Sequence, residues 1–474
     1  MNNFLQDFKL FFLNIIVILL SNINLIIQET EIPNLIFYNI ILIVSLFLVK
    51  LFIIKVLQVK NLIFDIISLL ISLGWIFLIR LNPYLAPRQL LWICIGLIVM
   101  LVIFFIVKNI PMDFIKNNKY LWLIITLTLL ILPLLKGVEV GGATSWLQLG
   151  KIRFQSSELA KIFYLVFLTS LIRESTFIKG KGFFLAWIGT LSSVAILVLQ
   201  KDLGMALVFY LTFLLIIYLT TKKITSQVWG IIILLLAAIV AYYYFPHVRF
   251  RILTWLSPWE NPHTSGYQII FSLFSFSNGG ILGVGLGNGF SKFIPEVHTD
   301  FMFAAIGEQL GLLGSISIIL LYLLFLFFCY HEIKFIPTKG RRILALGLSA
   351  IMVIESFVIM AGVSKLIPLT GLPLPFMGYG GSAVITNFIN LGFILALTSN
   401  KSITVQMEEE GLNYIFKIIW IVALALILNL TYWQVIKSNS MKQHPLNPRY
   451  RIIKTVHSTN IPTSLHKVIE RNEV

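Results

Sequence analysis

The chain has 474 residues, 58% hydrophobic and 12% charged, where an average soluble domain is about 45–50% apolar and about 25% charged. A mean hydropathy of +0.92 excludes a water-soluble globular protein, and continuous apolar runs of roughly 18–25 residues exclude a membrane β-barrel, whose strands alternate. The formal charge of +16 does not point to nucleic acid, because the Lys and Arg gather in short loops between the apolar runs.

In chain order, spans are predicted near 10–28, 35–56, 61–80, 88–108, 119–136, 157–172, 183–199, 203–220, 227–245, 301–330, 342–363, 379–398 and 413–434. The first segment lacks a small-residue cleavage site and reads as a retained span rather than a signal peptide. Cys94 and Cys329 lie in apolar runs, and the seven His are scattered without ligand spacing, so no disulfide framework or metal site is expected. Basic clusters at Lys50, Lys55 and Lys60, at Lys108, Lys116 and Lys119, and at Arg173, Lys179 and Lys181 fall on alternate loops. So do Lys222 with Lys223, and Lys334, Lys339, Arg341 and Arg342. The positive-inside rule assigns that side, and the N-terminus, to the cytoplasm. Loops 81–87, 137–156, 200–202, 246–300 and 364–378, and the tail from 435, then lie outside. They hold most of the Gly, Pro, Trp and acid clusters, so the chemistry is expected there.

Four outer stretches stand out. In 141–163, Glu158 and Lys161 are spaced i, i+3 and can pair on one helix face. Ionisable groups at membrane depth are functional candidates by default, although an ion pair locking two helices together explains them equally well. Asp202 stands at the start of a helix, where capping alone would account for it. The connection 246–300 far exceeds the roughly 2–8 residues usual between helices, and loops of that length are usually functional. Its glycines fit neither the P-loop nor the dinucleotide fingerprint. They instead allow tight turns and a close approach of backbone to a ligand. The segment 365–384, rich in Pro and Gly, suits a re-entrant element lining a cavity.

These pieces together resemble the SEDS family (shape, elongation, division and sporulation), which includes FtsW and RodA. The resemblance runs over about 61–400. It rests on Gly142, Ala143, Trp146, Gly150, Gln155, Glu158 and Lys161; on Pro295, Glu296, His298, Thr299, Asp300 and Phe301; and on Pro368, Thr370, Gly371, Pro375, Phe376, Tyr379, Gly380, Gly381 and Ser382. Departures are Ser145 where Arg is frequent, Ser156 for Pro, and Gly378 for Ser.

The resemblance implies an all-α polytopic membrane protein. A ten-helix core at 61–400, with the extracytoplasmic loop 246–300, would follow two extra N-terminal spans in 1–58 and precede one extra span and a short outer tail in 401–474. It also implies a peptidoglycan glycosyltransferase in the cell membrane that polymerises lipid II during division, elongation or sporulation. Asp300 matches the family's essential acid and is the expected general base. Trp146, Lys151, Arg153, Glu158, Lys161, Gln268, Glu296, His298, Thr370, Tyr379 and Ser382 are the expected substrate-binding residues. Lys151 and Arg153 are the expected cations for the leaving diphosphate, with a divalent cation (Mg or Mn) left open. A bland alternative for Asp300 is a helix-start charge, with Thr299 as the cap. Glu355 sits in a span without an evident partner.

Beyond the core, "TYWQVIKSNSMKQHPLNPR" resembles the membrane anchor of class B penicillin-binding proteins, the expected partners. The tail is too short for a transpeptidase domain and reads as a fusion remnant or a truncated chain. The alternatives to an enzyme are a lipid II flippase and a non-catalytic scaffold for a penicillin-binding protein. Neither needs a base at Asp300.

Overall fold

The computed structural model describes residues 11–19, 35–59, 62–150, 152–172, 181–399 and 410–450. Among these, eleven helices are long and apolar enough to cross a membrane. Residues 11–19 form a helix, α1, and the rest of the expected first span lies outside the described residues. There follow α2 (Leu35–Lys55), α3 (Ile63–Leu81), α4 (Ala86–Asn109), the short α5 (Met112–Asn117) and α6 (Lys119–Lys136). After a small sheet come α7 (Ser156–Leu171), α8 (Lys181–Leu199), α9 (Leu203–Thr221), α10 (Ile224–Tyr244), α11 (Pro246–Leu256) and α12 (Tyr267–Gly279). The chain ends through α13 (Met302–Gln309), α14 (Gly311–Ile333), α15 (Lys339–Val363), α16 (Gly381–Ser399), α17 (Glu410–Thr431) and α18 (Ser438–Lys442).

Burial sorts the helices. α15, α3 and α16 are enclosed by protein, whereas α6 and α10 leave most of their surface to lipid. Between helices in a bilayer, small residues let backbones approach. Gly392 of α16 sits on the Met100 carbonyl of α4, where a Cβ would come within 2.6 Å. Gly96 of α4 is likewise filled by the Phe388 ring. At the other end of the chain's order, Lys50 of α2 pairs with Asp65 of α3 at 2.8 Å, and the Trp75 indole donates to Asn39 at 2.7 Å. The N-terminal extension is thus joined to the core by buried polar contacts.

Two expectations need revision. The span expected at 301–330 is broken at Leu310: α13 is a short helix buried on all sides, and Gly311, at φ +68, turns the chain into α14. The stretch 137–155, read as loop, is a three-stranded antiparallel sheet of β1 (Gly137–Val140), β2 (Ala143–Leu149) and β3 (Ile152–Gln155). Gly141 and Gly142, at φ +59 and +81, supply the left-handed pair that a tight hairpin needs. The Thr144 N–H donates to the Gln200 carbonyl at 2.9 Å, which stitches the sheet to the end of α8. The long connection 246–300 is also largely ordered into α11, α12 and short 3-10 turns.

Candidate active site

Ends of α7, α9 and α13, together with α11, meet the 364–380 segment around one charged cluster. Asp202 caps α9: its Oδ1 accepts from the Met205 N–H at 3.2 Å. Its Oδ2 accepts from Gln155 Nε2 at 3.0 Å and from Ser157 Oγ at 3.3 Å, which ties the sheet and α7 to α9. Burial raises the Asp202 carboxyl, against the Met205 N–H and Gln155 bonds and the nearby Arg251 charge.

Arg251 of α11 reaches across to the 364–380 segment. Its Nη1 donates to the Leu369 carbonyl at 3.0 Å and lies 3.4 Å from that of Thr370. Burial lowers the guanidinium, and Asp202 and Asp300 hold it up. Arg251 thus lies within electrostatic reach of both acids, while its hydrogen bonds go to the 364–380 segment. Next to it, the Trp255 indole donates to the Lys365 carbonyl at 3.0 Å. The close fit continues at Gly204, where a Cβ would stand 2.8 Å from Thr370.

Asp300 closes the cluster just before α13. The Thr299 hydroxyl lies 2.8 Å from Asp300 Oδ1 and 2.8 Å from the Glu296 carbonyl. Burial raises the Asp300 carboxyl to about 6, helped by Glu296 and opposed by the Thr299 bond and Arg251. Thr299 does not cap the helix: α13 starts at Met302, its N-cap is Phe301, and Thr299 bonds the Asp300 carboxylate instead. The loop is held from the other side by the Tyr379 N–H, which donates to the His298 carbonyl at 2.8 Å. His298 Nε2 lies 3.6 Å from Glu296, and burial lowers its imidazole, so it is neutral near pH 7.

Backbone strain gathers at the same place. Of the non-glycine residues with positive φ, Lys201 (62°), Glu296 (55°), Lys365 (62°) and Phe376 (62°) all flank the cluster. Such conformations persist only where the surroundings fix them, and they concentrate at functional sites.

The expected site residues divide into groups. Asp300, Glu296, His298, Thr370 and Tyr379 belong to this cluster. Trp146 faces Gln155 in the sheet register, and Ser382 lies buried in the first turn of α16. Gln268 lies in the first turn of α12. Arg153 is exposed on β3, opposite Gln148, and Lys151 lies outside the described residues.

Glu158 and Lys161 form a separate ionic unit deeper in α7. Lys161 Nζ is 2.7 Å from Glu158 Oε2 and 2.7 Å from Glu355 Oε2, and all three side chains are fully buried. This supplies the partner that Glu355 lacked in the sequence. Nor did the sequence reading single out Arg251. The available signal was its sign: Arg249 and Arg251 fall in 246–300, among the loops expected to be poor in basic residues. Among the described residues no three His, Cys, Asp or Glu side chains gather closely enough to hold a metal ion.

The family model for FtsW, RodA and SpoVE, described as cell cycle protein, matches residues 61–403. The peptidoglycan glycosyltransferase RodA of Mycobacterium tuberculosis (strain H37Rv) is 33% identical over 373 residues, covering 71% of this chain and 77% of that protein. The probable peptidoglycan glycosyltransferase FtsW of Wigglesworthia glossinidia brevipalpis is 32% identical over 322 residues, covering 66% and 83%. Among solved structures, a chain from work on the structural coordination of polymerization and crosslinking by a peptidoglycan synthase complex superposes with TM-score 0.61. It is 26% identical, with 72% of this chain and 98% of that chain covered. The Thermus thermophilus rod shape determining protein RodA, 23% identical with TM-score 0.51, shares the fold over 72% of this chain and 96% of its own. Matched over most of its length by family model, relatives and fold, this multi-pass membrane chain belongs to the FtsW/RodA/SpoVE family, the SEDS proteins.

Proposed function

We propose that the chain is a peptidoglycan glycosyltransferase that polymerises lipid II at the outer face of the cell membrane, with Asp300 as its general base. The observation that carries this is the Asp300 carboxylate, set at the mouth of the bundle with its ionisation held near 6 and an arginine alongside. A base whose pKa lies close to the working pH accepts a proton most effectively. The acceptor sugar hydroxyl attacks the anomeric carbon of the donor, its proton passes to Asp300, and the bond to the polyprenyl diphosphate breaks. Arg251, within electrostatic reach of Asp300, would stabilise the charge growing on the diphosphate. Among the described residues no three His, Cys, Asp or Glu side chains gather to hold a metal ion, so a divalent cation (Mg or Mn) would have to come with the diphosphate. A membrane-edge acid suits this substrate, since the sugars lie at the surface and the polyprenyl tail lies in lipid. A class B penicillin-binding protein is the partner that would cross-link the product.

Purified protein supplied with labelled lipid II tests this. Wild type should make glycan strands, and Asp300→Asn should make about 100-fold less or worse. Equal product from both would remove Asp300 as the base. No product from either, with or without a partner transpeptidase and added Mg or Mn, would favour lipid II transport or a scaffold.

A further inference from the structure

The C-terminal segment beyond α17 does not hang from the bundle; it is threaded into the machinery that holds the Asp300 loop. The Asn429 amide donates to the Ser364 carbonyl at 2.8 Å. Past it the chain opens into a π-turn, Tyr432–Ile436, and lies against α12 and α13. Gln434 Nε2 donates to the Gly307 carbonyl at 3.1 Å, and Ser438 Oγ donates to the Ser277 carbonyl at 2.7 Å. The His444 ring packs on Trp259 at 4.8 Å. Asn447 then accepts from the Arg449 N–H at 3.1 Å and donates to the Met441 carbonyl at 3.1 Å, a turn that presents Arg449 inward.

Arg449 is 2% exposed. Its Nε donates to Glu308 Oε1 at 2.8 Å and its Nη2 to Ser275 Oγ at 2.8 Å. Glu308, in α13, is fully buried and is the hub of the loop. Its Oε1 also accepts from Asn278 Nδ2 at 3.0 Å and from the Phe290 N–H at 3.1 Å, and its Oε2 from Ser291 Oγ at 2.5 Å. The Val284 and Gly285 N–H groups donate to the Glu308 and Gln309 carbonyls at 3.0 and 3.1 Å, and the Gly287 N–H donates to Gln309 Oε1 at 3.0 Å. From Ser291 the same loop runs through buried Ile294 and Val297 to Asp300.

We infer that the C-terminal segment is a built-in positioning element for the catalytic loop, acting through the buried Arg449–Glu308 ion pair. A buried carboxylate that loses its cation is strongly destabilising, because the remaining charge cannot be solvated. Glu308 would then turn toward water, and the Phe290 and Ser291 anchors would go with it. Arg449 is a positioning residue and touches no substrate. This rests on Asp300 being the base, carried by that loop.

The experiment compares the full-length wild type, Arg449→Gln and the double variant Glu308→Gln/Arg449→Gln. Two quantities are read: the rate of lipid II polymerisation, and hydrogen exchange of peptides spanning 284–300 with α15 as internal control. Arg449→Gln should lower kcat about tenfold or more, leave KM nearly unchanged, and speed exchange in the loop but not in α15. The double variant, with no stranded charge, should return to within about threefold of wild type and to slow loop exchange. Wild-type rate and exchange in Arg449→Gln would overturn the inference, as would a double variant no better than the single. If Arg449→Gln loosens α15 as well, the double variant decides, since only charge neutralisation restores its loop. If the wild type makes no strands, the proposed activity falls, and the exchange comparison still decides on Arg449.

Discussion

At the scale of single residues, the ionisation of Asp300 is the most consequential feature. A general base must be unprotonated, so a carboxyl raised to about 6 limits the enzyme in acid. Polymerisation should climb roughly tenfold between pH 5 and pH 7.5 and level off above, as a single group near 6 dictates. A flat profile over that range would exclude Asp300 as the group whose ionisation limits the rate. The same shift has a stability consequence of definite sign. The folded value lies above the ordinary 3.8, so folding favours the protonated form. The contribution is fully present below 3.8 and is lost as pH rises through about 6, leaving ionised Asp300 a burden at neutral pH. That burden is at most about 3 kcal/mol, and less in practice because the side chain is partly exposed to water. Asp300→Asn should therefore unfold at a higher temperature than wild type at pH 8, with the gap closing toward pH 5. Activity and stability then move in opposite directions, as expected of a group held where folding alone would not put it.

At the scale of elements, the glycines of the long connection show what a sequence can and cannot say. Their density correctly announces close backbone approach. The partner, however, is the chain itself: a Cβ on Gly283 would come within 2.2 Å of the Gln309 carbonyl, and one on Gly279 within 2.0 Å of the Gly307 carbonyl. Nothing local in the sequence names a partner so far along the chain. Spans were legible because an apolar run of bilayer length has few other uses. The sheet was not, because its strands are short and its hairpin glycines look the same as loop glycines. Nor did the pattern show that α13 stops at Leu310, since both sides of the break are apolar. Four motifs far apart in sequence could be seen to belong together, but only the fold shows that Arg251 joins them. The glycines yield a graded test. Gly141→Ala, at φ +59 with open space around it, should cost only about 1 kcal/mol of conformational strain. Gly283→Ala, at φ +85 and against backbone, adds a clash that no side-chain motion relieves and should cost about 3 kcal/mol or more. Thermal unfolding of the two variants in one detergent checks the ranking; equal midpoints would mean that the 280–290 loop yields easily.

At the scale of the whole molecule, charge is buried where the helices must not slide. Glu158, Lys161 and Glu355 bind α7 to α15, the most enclosed of the candidate membrane spans, and Ser157 on the same turn of α7 reaches Asp202. The triad thus ties α7 to α15 within a turn of the residue that reaches Asp202. One lysine serves two carboxylates in a dry interior, and the geometry of both contacts holds the unit together. Lys161→Met leaves both carboxylates stranded and should cost about 3–5 kcal/mol, enough to lose most folded protein from the membrane. Neutralising all three, as Glu158→Gln/Lys161→Met/Glu355→Gln, removes the stranded charge and should restore the fold to within about 1–2 kcal/mol of wild type. Activity of that triple variant separates the two roles that sequence alone left open for Glu158 and Lys161. If strands return along with the fold, the triad is a clamp between helices. If the fold returns and polymerisation does not, the charges themselves act on the cluster of Asp202, Arg251 and Asp300, and the site extends along α7 into the bundle.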